Sequence, residues 1–150
     1  AGKSLPDIVA LVKRMMPVTR MIQTADTLKY LHMGGRIGKA THLVGSLLNI
    51  KPLIGMEDGV IVPLGKVRSR RAAYEKMVEM VEEAAGKMGR IKIAYVHAAA
   101  AEEAEKLKAM FEARLTCVES LVAELSPALG VHSGPGTAGV CYFPVAETTE

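Results

Sequence analysis

The sequence has no tryptophan, and aromatic residues make up only 4% of its 150 positions. Proteins that bind single-stranded nucleic acid stack bases on aromatic side chains, so this scarcity argues against a single-strand-binding protein. Cysteine is almost as rare: Cys117 and Cys141 stand far apart and form no C-x-x-C pair. This excludes a disulfide framework and predicts a reducing, cytoplasmic location. No apolar run is long enough to span a bilayer, and none has the features of a signal peptide.

Apolar residues, by contrast, make up 49% of the chain, and the sequence contains nine methionines. At this length, that fraction is enough for the core of a single domain. Because aromatics are few, Met, Leu, Val and Ile must fill the interior, and methionine also suits a wall against a flexible apolar ligand. The formal net charge of +3 is mild and does not by itself indicate a nucleic-acid partner.

Helices and strands alternate along the first half of the chain. Ser4, with Asp7 three residues later, has the pattern of a helix N-terminus, and Pro17 ends that helix. Asp58-Gly59 between two β-rich runs is the strongest hairpin signal in the sequence. The predicted elements are this first helix, a strand over 20–25, a short helical turn from Asp26 or Thr27 to Leu31, an amphipathic helix over 36–49, and hairpin strands over 50–56 and 60–64.

The second half continues the alternation. Ser69 has the pattern of an N-cap for a helix to about Met88, and Glu102 and Lys106 are spaced to pair on a later helix. The remaining predictions are a strand over 90–96, a helix over 101–113, a strand over 116–122, a short helix from Ser126, a strand over 139–144 and a flexible tail over 146–150. Because helices alternate with strands but one hairpin is present, we predict an α/β fold: a two-layer, mixed β-sheet covered by helices.

The loop His132-Ser133-Gly134-Pro135-Gly136 precedes the last predicted strand. Residues 134–139 match G-x-G-x-x-G, but a dinucleotide site needs this motif to open a helix, so we reject that interpretation. The glycines could instead turn backbone N–H groups toward an anionic oxygen, with His132 as a further donor. A tight turn whose histidine caps a carbonyl explains the same spacing.

Four cations, Lys66, Arg68, Arg70 and Arg71, surround the start of the helix predicted after Ser69. The helix macrodipole disfavours positive charge there. Two interpretations stay open: a solvated face, or a docking site for an external anion or acidic partner.

Metal binding and nucleophilic catalysis have little support in the sequence. The four histidines, His32, His42, His97 and His132, show no i,i+4 pairing and no nearby thiolate pair. There is no G-x-S-x-G motif, and neither cysteine has a histidine beside it. We therefore predict no metal site, no cofactor and no catalytic residue.

Six stretches, taken in order and as a set, resemble the DegV family. They are D-T-L-K-Y-L at 26–31, G-G-R-I-G at 34–38, G-S-L-L-N-I-K-P at 45–52, D-G at 58–59, V-R-S-R at 67–70 and H-S-G-P-G at 132–136. The resemblance implies a two-domain protein with a fatty acid between the domains. Residues 1–18 would then be a helix and connection from a first domain that this sequence lacks. Residues 19–145 would be the C-terminal domain of a DegV protein, with a mixed six-stranded sheet.

The resemblance also implies residue roles. The acyl carboxylate would be held mainly by first-domain hydroxyls, with the loop histidine and the arginine of G-G-R-I near the same end. Together with the apolar trough that a fatty acid needs, this gives the expected ligand-binding residues: His132, Arg36, Ser133, Gly134, Gly136, Ile37 and Leu47, with Leu43, Val44, Leu48 and Leu53 as further trough residues. In relatives that serve a fatty-acid kinase, the first arginine of V-R-S/T-R meets the kinase, so Arg68, Arg70 and Arg71 are expected to bind a partner.

The leading hypothesis is a non-enzymatic, lipid-binding domain that forms one wall of a long-chain fatty-acid site and presents the acid to a fatty-acid kinase. Its partners would also include the missing N-terminal DegV domain, and an exposed apolar face could drive homo-oligomerisation. One alternative is a phosphate-handling enzyme, with His132 as acid or base and Arg68, Arg70 and Arg71 as an anion clamp. The other is an interaction module whose basic patch docks an acidic surface.

Overall fold

The structure, a computed structural model, describes residues 2–44, 50–86 and 90–145. Five α-helices and a 3-10 helix accompany six strands in these ranges. The helices are α1 Leu5–Met15, α2 Lys29–Met33, the 3-10 helix Gly38–Leu43, α3 Arg70–Ala85, α4 Ala101–Glu112 and α5 Pro127–Ser133. The strands are β1 Arg20–Thr24, β2 Lys51–Glu57, β3 Val60–Val67, β4 Arg90–His97, β5 Thr116–Glu124 and β6 Ala138–Pro144.

The six described strands form one sheet in the order β3-β2-β1-β6-β4-β5. Only β4 and β5 pair in parallel, and the other neighbours are antiparallel. The predicted α/β fold with a mixed sheet is confirmed. The parallel pair arises because α4 crosses back between β4 and β5, as a parallel connection requires.

The β2–β3 hairpin is where the sequence predicts it. Asp58 and Gly59 have φ values of 49° and 77°, and positive φ at both central residues is the type I′ turn that matches strand twist. Pro63 lies on β3, an edge strand, and the ladder is irregular between Leu53 and Ile54 of β2. A proline cannot donate to a ladder, so the edge accommodates it.

Helices α3 and α4 cover one face of the sheet and enclose the main core. Its fully buried members include Met77, Val78, Leu107 and Phe111 of the helices, which pack on Ile91, Tyr95 and Val140 of the sheet. The Tyr95 and Phe111 rings meet edge to face, with centroids 5.9 Å apart. Few aromatics are needed because aliphatic side chains and Met77 fill the remaining space.

The opposite face of the sheet is covered unevenly. Over β1, β2 and β3, helix α2 and the 3-10 helix enclose a second core cluster made of Leu28, Leu31, Ile37, Ala40, Leu43, Ile54 and Ile61. Over β6, β4 and β5, the same face presents Cys141, Ala94 and Leu121, which lie side by side in the strand register. None of these three is fully buried, so this half of the face is open.

Helix α1 begins at the predicted cap, where the Ser4 hydroxyl accepts from the Asp7 backbone N–H at 3.4 Å. No residue of α1 is buried, and Leu5 and Val12 are 73% and 52% exposed, so its apolar residues belong to neither core cluster.

The continuous helix predicted over 36–49 is wrong in the part that can be described. Gly38 has φ 54°, and a Cβ there would lie 2.5 Å from the Ile61 carbonyl oxygen. This left-handed residue prevents an α-helix from running on from Arg36, and only the 3-10 helix forms, with Val44 already extended. Residues 45–49 lie outside the described ranges.

Two further predictions need correction. Helix α3 begins after Ser69, whose hydroxyl accepts from the Ala72 N–H at 3.1 Å, but it ends at Ala85 because Gly86 has φ 64°. Met88, like the tail 146–150, lies outside the described residues. On α4, Lys106 pairs with Glu103 at 2.6 Å and not with Glu102, because a spacing of three also brings side chains together on a helix.

Candidate functional site

His132 lies in the last turn of α5, and its ring packs on Gly34 at the end of α2. A Cβ on Gly34 would be 2.1 Å from Nδ1 of His132 and 2.8 Å from its Cε1. Among the described residues, Nδ1 of His132 is buried without a hydrogen-bond partner. A buried polar nitrogen of this kind costs about 1–3 kcal/mol. Because Gly34 closes off Nδ1, contact with a ligand falls to Nε2, the other ring nitrogen of this partly exposed residue.

Tyr30 and Gly134 form the reciprocal contact between the same two helices. A Cβ on Gly134 would lie 2.2 Å from Cδ2 of the Tyr30 ring, and Gly134 has φ 80°. Each helix thus contributes one ring and one glycine: His132 sits on Gly34, and Tyr30 sits on Gly134. Glycine at 34 and 134 permits this close approach, so α2 and α5 hold each other in register.

The amides of the glycine loop are already used by the chain. The Gly134 N–H donates to the Gly130 carbonyl at 2.8 Å, and the Gly136 N–H donates to the Ala98 carbonyl at 2.9 Å. The buried Ser133 hydroxyl donates to the Leu129 carbonyl at 2.9 Å. The expectation that these N–H groups converge on an anion is therefore wrong for Gly134 and Gly136, whose role in the structure is to allow a tight approach.

Arg70 is turned into the protein and does not lie with its neighbours on the surface. Its Nη1 donates to the Gly136 carbonyl at 2.8 Å, and its Nη2 donates to Asp26 Oδ1 at 2.6 Å. Lys51 meets the same Asp26 oxygen at 2.5 Å. Burial alone would raise the pKa of the Asp26 carboxyl, but the hydrogen bonds and charges of Lys51 and Arg70 outweigh burial and lower that pKa.

Tyr74 and Glu103 extend this network to α4. Arg70 Nη1 donates to the Tyr74 hydroxyl at 3.2 Å, and that hydroxyl donates to Glu103 Oε2 at 2.9 Å. Burial is the largest influence that raises the pKa of Tyr74 to about 12, so its proton stays in place as a donor. We call Asp26, Lys51, Arg70, Tyr74 and Glu103 the Arg70 network.

The remaining arginines of the expected site lie on the surface. Arg71 pairs with Glu75 one turn along α3 at 2.8 Å. Arg68 and Arg36 are exposed, and no ion pair joins either of them to the described residues. An anion clamp of Arg68, Arg70 and Arg71 is therefore contradicted, because Arg70 is committed to Asp26 and Gly136. The three arginines do not act as one group.

The expected trough residues lie mostly in cores. Ile37 and Leu43 belong to the second cluster, and Leu53 is buried under α3. Leu47 and Leu48 lie outside the described residues. Ile37 and Leu43 face no open hollow because α2 and the 3-10 helix cover them, and Leu53 packs under α3 on the other face of the sheet. The trough assigned from the sequence is thus filled by the chain itself where it can be described.

Two areas of exposed apolar surface in the described part of the chain lie near the expected site or form a cavity. Met33 on α2 and Leu129 and Val131 on α5 are 73%, 56% and 65% exposed; we call these three residues the His132 surface. The second place is a cavity of about 600 Å³ where α1 meets the open half of the sheet. This α1 cavity is lined mainly by Leu11, Met15, Ala94, Leu121, Cys141 and Phe143. Sequence reasoning missed both, although P-A-L-G-V-H beside the loop was a usable signal.

Several rejected site types can be compared with the structure. Gly134 to Gly139 leads into β6 and opens no helix, which is the strand context predicted for this motif. The described residues contain no group of three or more His, Cys, Asp or Glu side chains able to hold a metal ion. Within the same ranges, no helix has both the length and the apolar character needed to cross a membrane.

Fold and site together define an α/β domain with one open apolar face and a histidine whose Nδ1 is buried without a partner among the described residues. A family profile described as "Uncharacterised protein, DegV family" matches residues 1–145, and the chain belongs to the DegV family. A DegV domain-containing protein of Clostridium acetobutylicum is 35% identical over 142 residues, which cover 95% of this chain and 50% of that protein. The chain spans about half the length of such relatives.

Solved structures agree with this assignment. A structure described as "Fatty Acid Binding of a DegV family Protein from Thermus thermophilus" superposes with a TM-score of 0.87 at 28% identity. The match covers 96% of this chain and 52% of that one. DegV of Bacillus subtilis, described as a fatty acid binding protein, gives a TM-score of 0.76 at 31% identity, over 95% of this chain and 50% of its own.

Proposed function

We propose that this chain forms one wall of a site for a long-chain fatty acid, with His132 at the carboxylate end. The observation that carries the proposal is the position of His132, whose ring packs through Nδ1 on Gly34 while the residue stays partly exposed. Its helix α5 also carries the exposed Leu129 and Val131, and α2 carries the exposed Met33. The Thermus thermophilus and Bacillus subtilis relatives, which share this fold, are described as binding fatty acid.

The chemistry of Nε2 suits a carboxyl group in either protonation state. A protonated Nε2 donates to a carboxylate oxygen, and an unprotonated Nε2 accepts from a carboxylic acid. A charge-assisted bond contributes about 1.5–3 kcal/mol. Arg36, exposed two residues beyond Gly34, supplies a positive charge near the same end.

The His132 surface supplies the apolar contact. Each methylene that leaves water is worth about 0.8 kcal/mol, so a long acyl chain gains most of its binding free energy from such contacts. An acyl chain laid against Met33, Leu129 and Val131 would also cover side chains that are more than half exposed. Because the relatives are about twice as long, we assign the opposite wall of the site to the half that they have in addition.

The role is binding and presentation and not catalysis. Arg68, exposed and unpaired within the described ranges, is the proposed contact for a fatty-acid kinase, whereas Arg70 is excluded from it by its internal bonds. The proposed docking surface for the kinase therefore consists of Arg68 and Arg71. A cytoplasmic location, where such a kinase would work, stays a prediction.

The test is palmitate affinity, measured by calorimetry on the chain and on the gene product that contains it. His132→Ala should weaken binding about 10- to 100-fold, the equivalent of one charge-assisted bond. His42→Ala is the matched control, because His42 is exposed on the 3-10 helix, and it should bind like the wild type. Equal affinities for the two variants would contradict the proposal.

A second pair of variants locates the acyl chain. Val131→Ser removes an exposed valine of the His132 surface, and Leu121→Ser removes a 52% exposed leucine of the α1 cavity. Of these two variants, only Val131→Ser should weaken palmitate binding. Loss of affinity with Leu121→Ser and not with Val131→Ser would move the acyl chain to the α1 cavity.

A further inference from the structure

We propose that Arg70 is a positioning residue for the His132 site: it holds the turn at Gly136 and through it keeps the imidazole on Gly34. The inference rests on the proposed function. Arg70 therefore differs in role from the surface arginines beside it, because it supports the ligand site indirectly. Arg70 does not touch the ligand, and it acts through the backbone of the glycine loop.

The first set of contacts joins α3 to the turn at Gly136. Arg70 is the first residue of α3, and Ser69 fixes that end of the helix by accepting from the Ala72 N–H. The guanidinium, 18% exposed, reaches the Gly136 carbonyl at 2.8 Å. Gly136 has φ 82°, and a Cβ there would lie 2.6 Å from Asp26 Oδ2. The turn is therefore pressed against the Asp26–Arg70 pair with no room to move inward.

The second set of contacts joins this turn to the His132 imidazole. The Gly136 N–H is bonded to Ala98, and the Thr137 hydroxyl donates to the Ser133 carbonyl at 2.9 Å, which ties the turn to the last turn of α5. Within that segment Gly134 carries the Tyr30 contact and His132 carries the Gly34 contact. A shift of the turn consequently displaces the imidazole against α2.

Only an arginine can make this connection at position 70. Its planar fork bonds the Asp26 carboxylate through Nη2 and the Gly136 carbonyl through Nη1 at the same time. A lysine ammonium is a compact point charge on a flexible stem and cannot bridge both groups in fixed geometry. Arg71 provides a matched control, because it is the same residue type, adjacent in sequence, and its side chain is 85% exposed.

The experiment compares Arg70→Lys with Arg71→Lys by NMR in the ligand-free chain, followed by palmitate titration. The readouts are the contact between the His132 ring protons and the Gly34 α protons, the contact between the Tyr30 ring and Gly134, and hydrogen exchange at the Gly136 amide. Arg70→Lys should remove or weaken both contacts and speed exchange at Gly136 about tenfold or more. Arg71→Lys should match the wild type in every readout.

Gly136→Ala is the second variant, since alanine is strained at φ 82° and its Cβ would lie 2.6 Å from Asp26 Oδ2, so the turn shifts while Arg70 keeps its side chain. It should also remove the His132–Gly34 contact. Retention of both contacts and of Gly136 protection in Arg70→Lys would overturn the proposal, and so would a displaced turn in Gly136→Ala with the imidazole still on Gly34. Failure of the proposed function looks different: the ligand-free contacts respond to Arg70→Lys, yet the wild type takes up no palmitate.

Discussion

Gly34→Ala tests the contact on which the site depends, because the new methyl group would occupy the place of the imidazole. Its Cβ would lie 2.1 Å from Nδ1 of His132, far inside van der Waals contact. The backbone itself accepts alanine, since Gly34 has φ −79° and ψ 0°. The cost therefore comes from overpacking against one side chain, which typically destabilises by about 1–3 kcal/mol.

A double-mutant cycle with His132→Ala isolates that cost. In the His132→Ala background the clash with the ring is gone, and the nearest remaining atom is the Tyr30 carbonyl oxygen at 3.2 Å, a tight contact that a shift of a few tenths of an ångström relieves. Gly34→Ala should then be near neutral or stabilise by about 0.4–1 kcal/mol through the unfolded chain. The coupling free energy between the two positions should be about 1–3 kcal/mol.

Urea unfolding at equilibrium measures all four members of the cycle. Gly130→Ala serves as the control, because Gly130 lies within α5 and a Cβ there meets nothing within 4 Å. It should stabilise by about 0.5–1 kcal/mol. Additive free energies for Gly34→Ala and His132→Ala would refute the packing described here.

Three further predictions concern the frame around the site. Gly59→Ala places a Cβ at φ 77° in the hairpin turn and should lower the free energy of unfolding by about 1 kcal/mol, as measured by thermal melting. Because the pKa of Asp26 is lowered in the folded state, its contribution to stability is complete above the unfolded value near 3.9 and is lost as pH falls through the folded value. Acid unfolding of Asp26→Asn should therefore depend less on pH below about 4. Leu107→Ala, at a fully buried position, should cost about 2–5 kcal/mol, whereas Leu129→Ala, at a 56% exposed one, should stay within about 0.5 kcal/mol; chemical denaturation distinguishes the two.

Elements fixed by local chemistry could be predicted from the sequence. Asp58-Gly59 specifies its own turn, because both residues accept positive φ, and the hydroxyls of Ser4 and Ser69 satisfy helix amides within three residues. The helix expected over 36–49 failed for a reason that is not local. Gly38 takes a left-handed conformation against the Ile61 backbone of β3, and nothing in the residues around Gly38 reveals that contact.

The arginines show the same limit at the site. Arg68, Arg70 and Arg71 look alike in sequence, yet only Arg70 points inward. Its partners Asp26 and Gly136 lie 44 and 66 residues away in the chain. His132 could be singled out because the loop that it begins contains two glycines, Gly134 and Gly136. The contact between the His132 ring and Gly34, nearly a hundred positions earlier in the chain, could not be predicted. It depends on how α2 and α5 pack, and residue spacing does not reveal that packing.

The central claim is that a fatty-acid carboxylate bonds to the His132 imidazole. The most direct measurement is the 15N resonance of Nε2 of His132 during titration with palmitate labelled with 13C at its carboxyl carbon. We predict that this resonance and the carboxyl resonance shift together and saturate at one equivalent, while the ring resonances of His42 stay in place. Bound palmitate that leaves the His132 resonance unchanged would contradict the account.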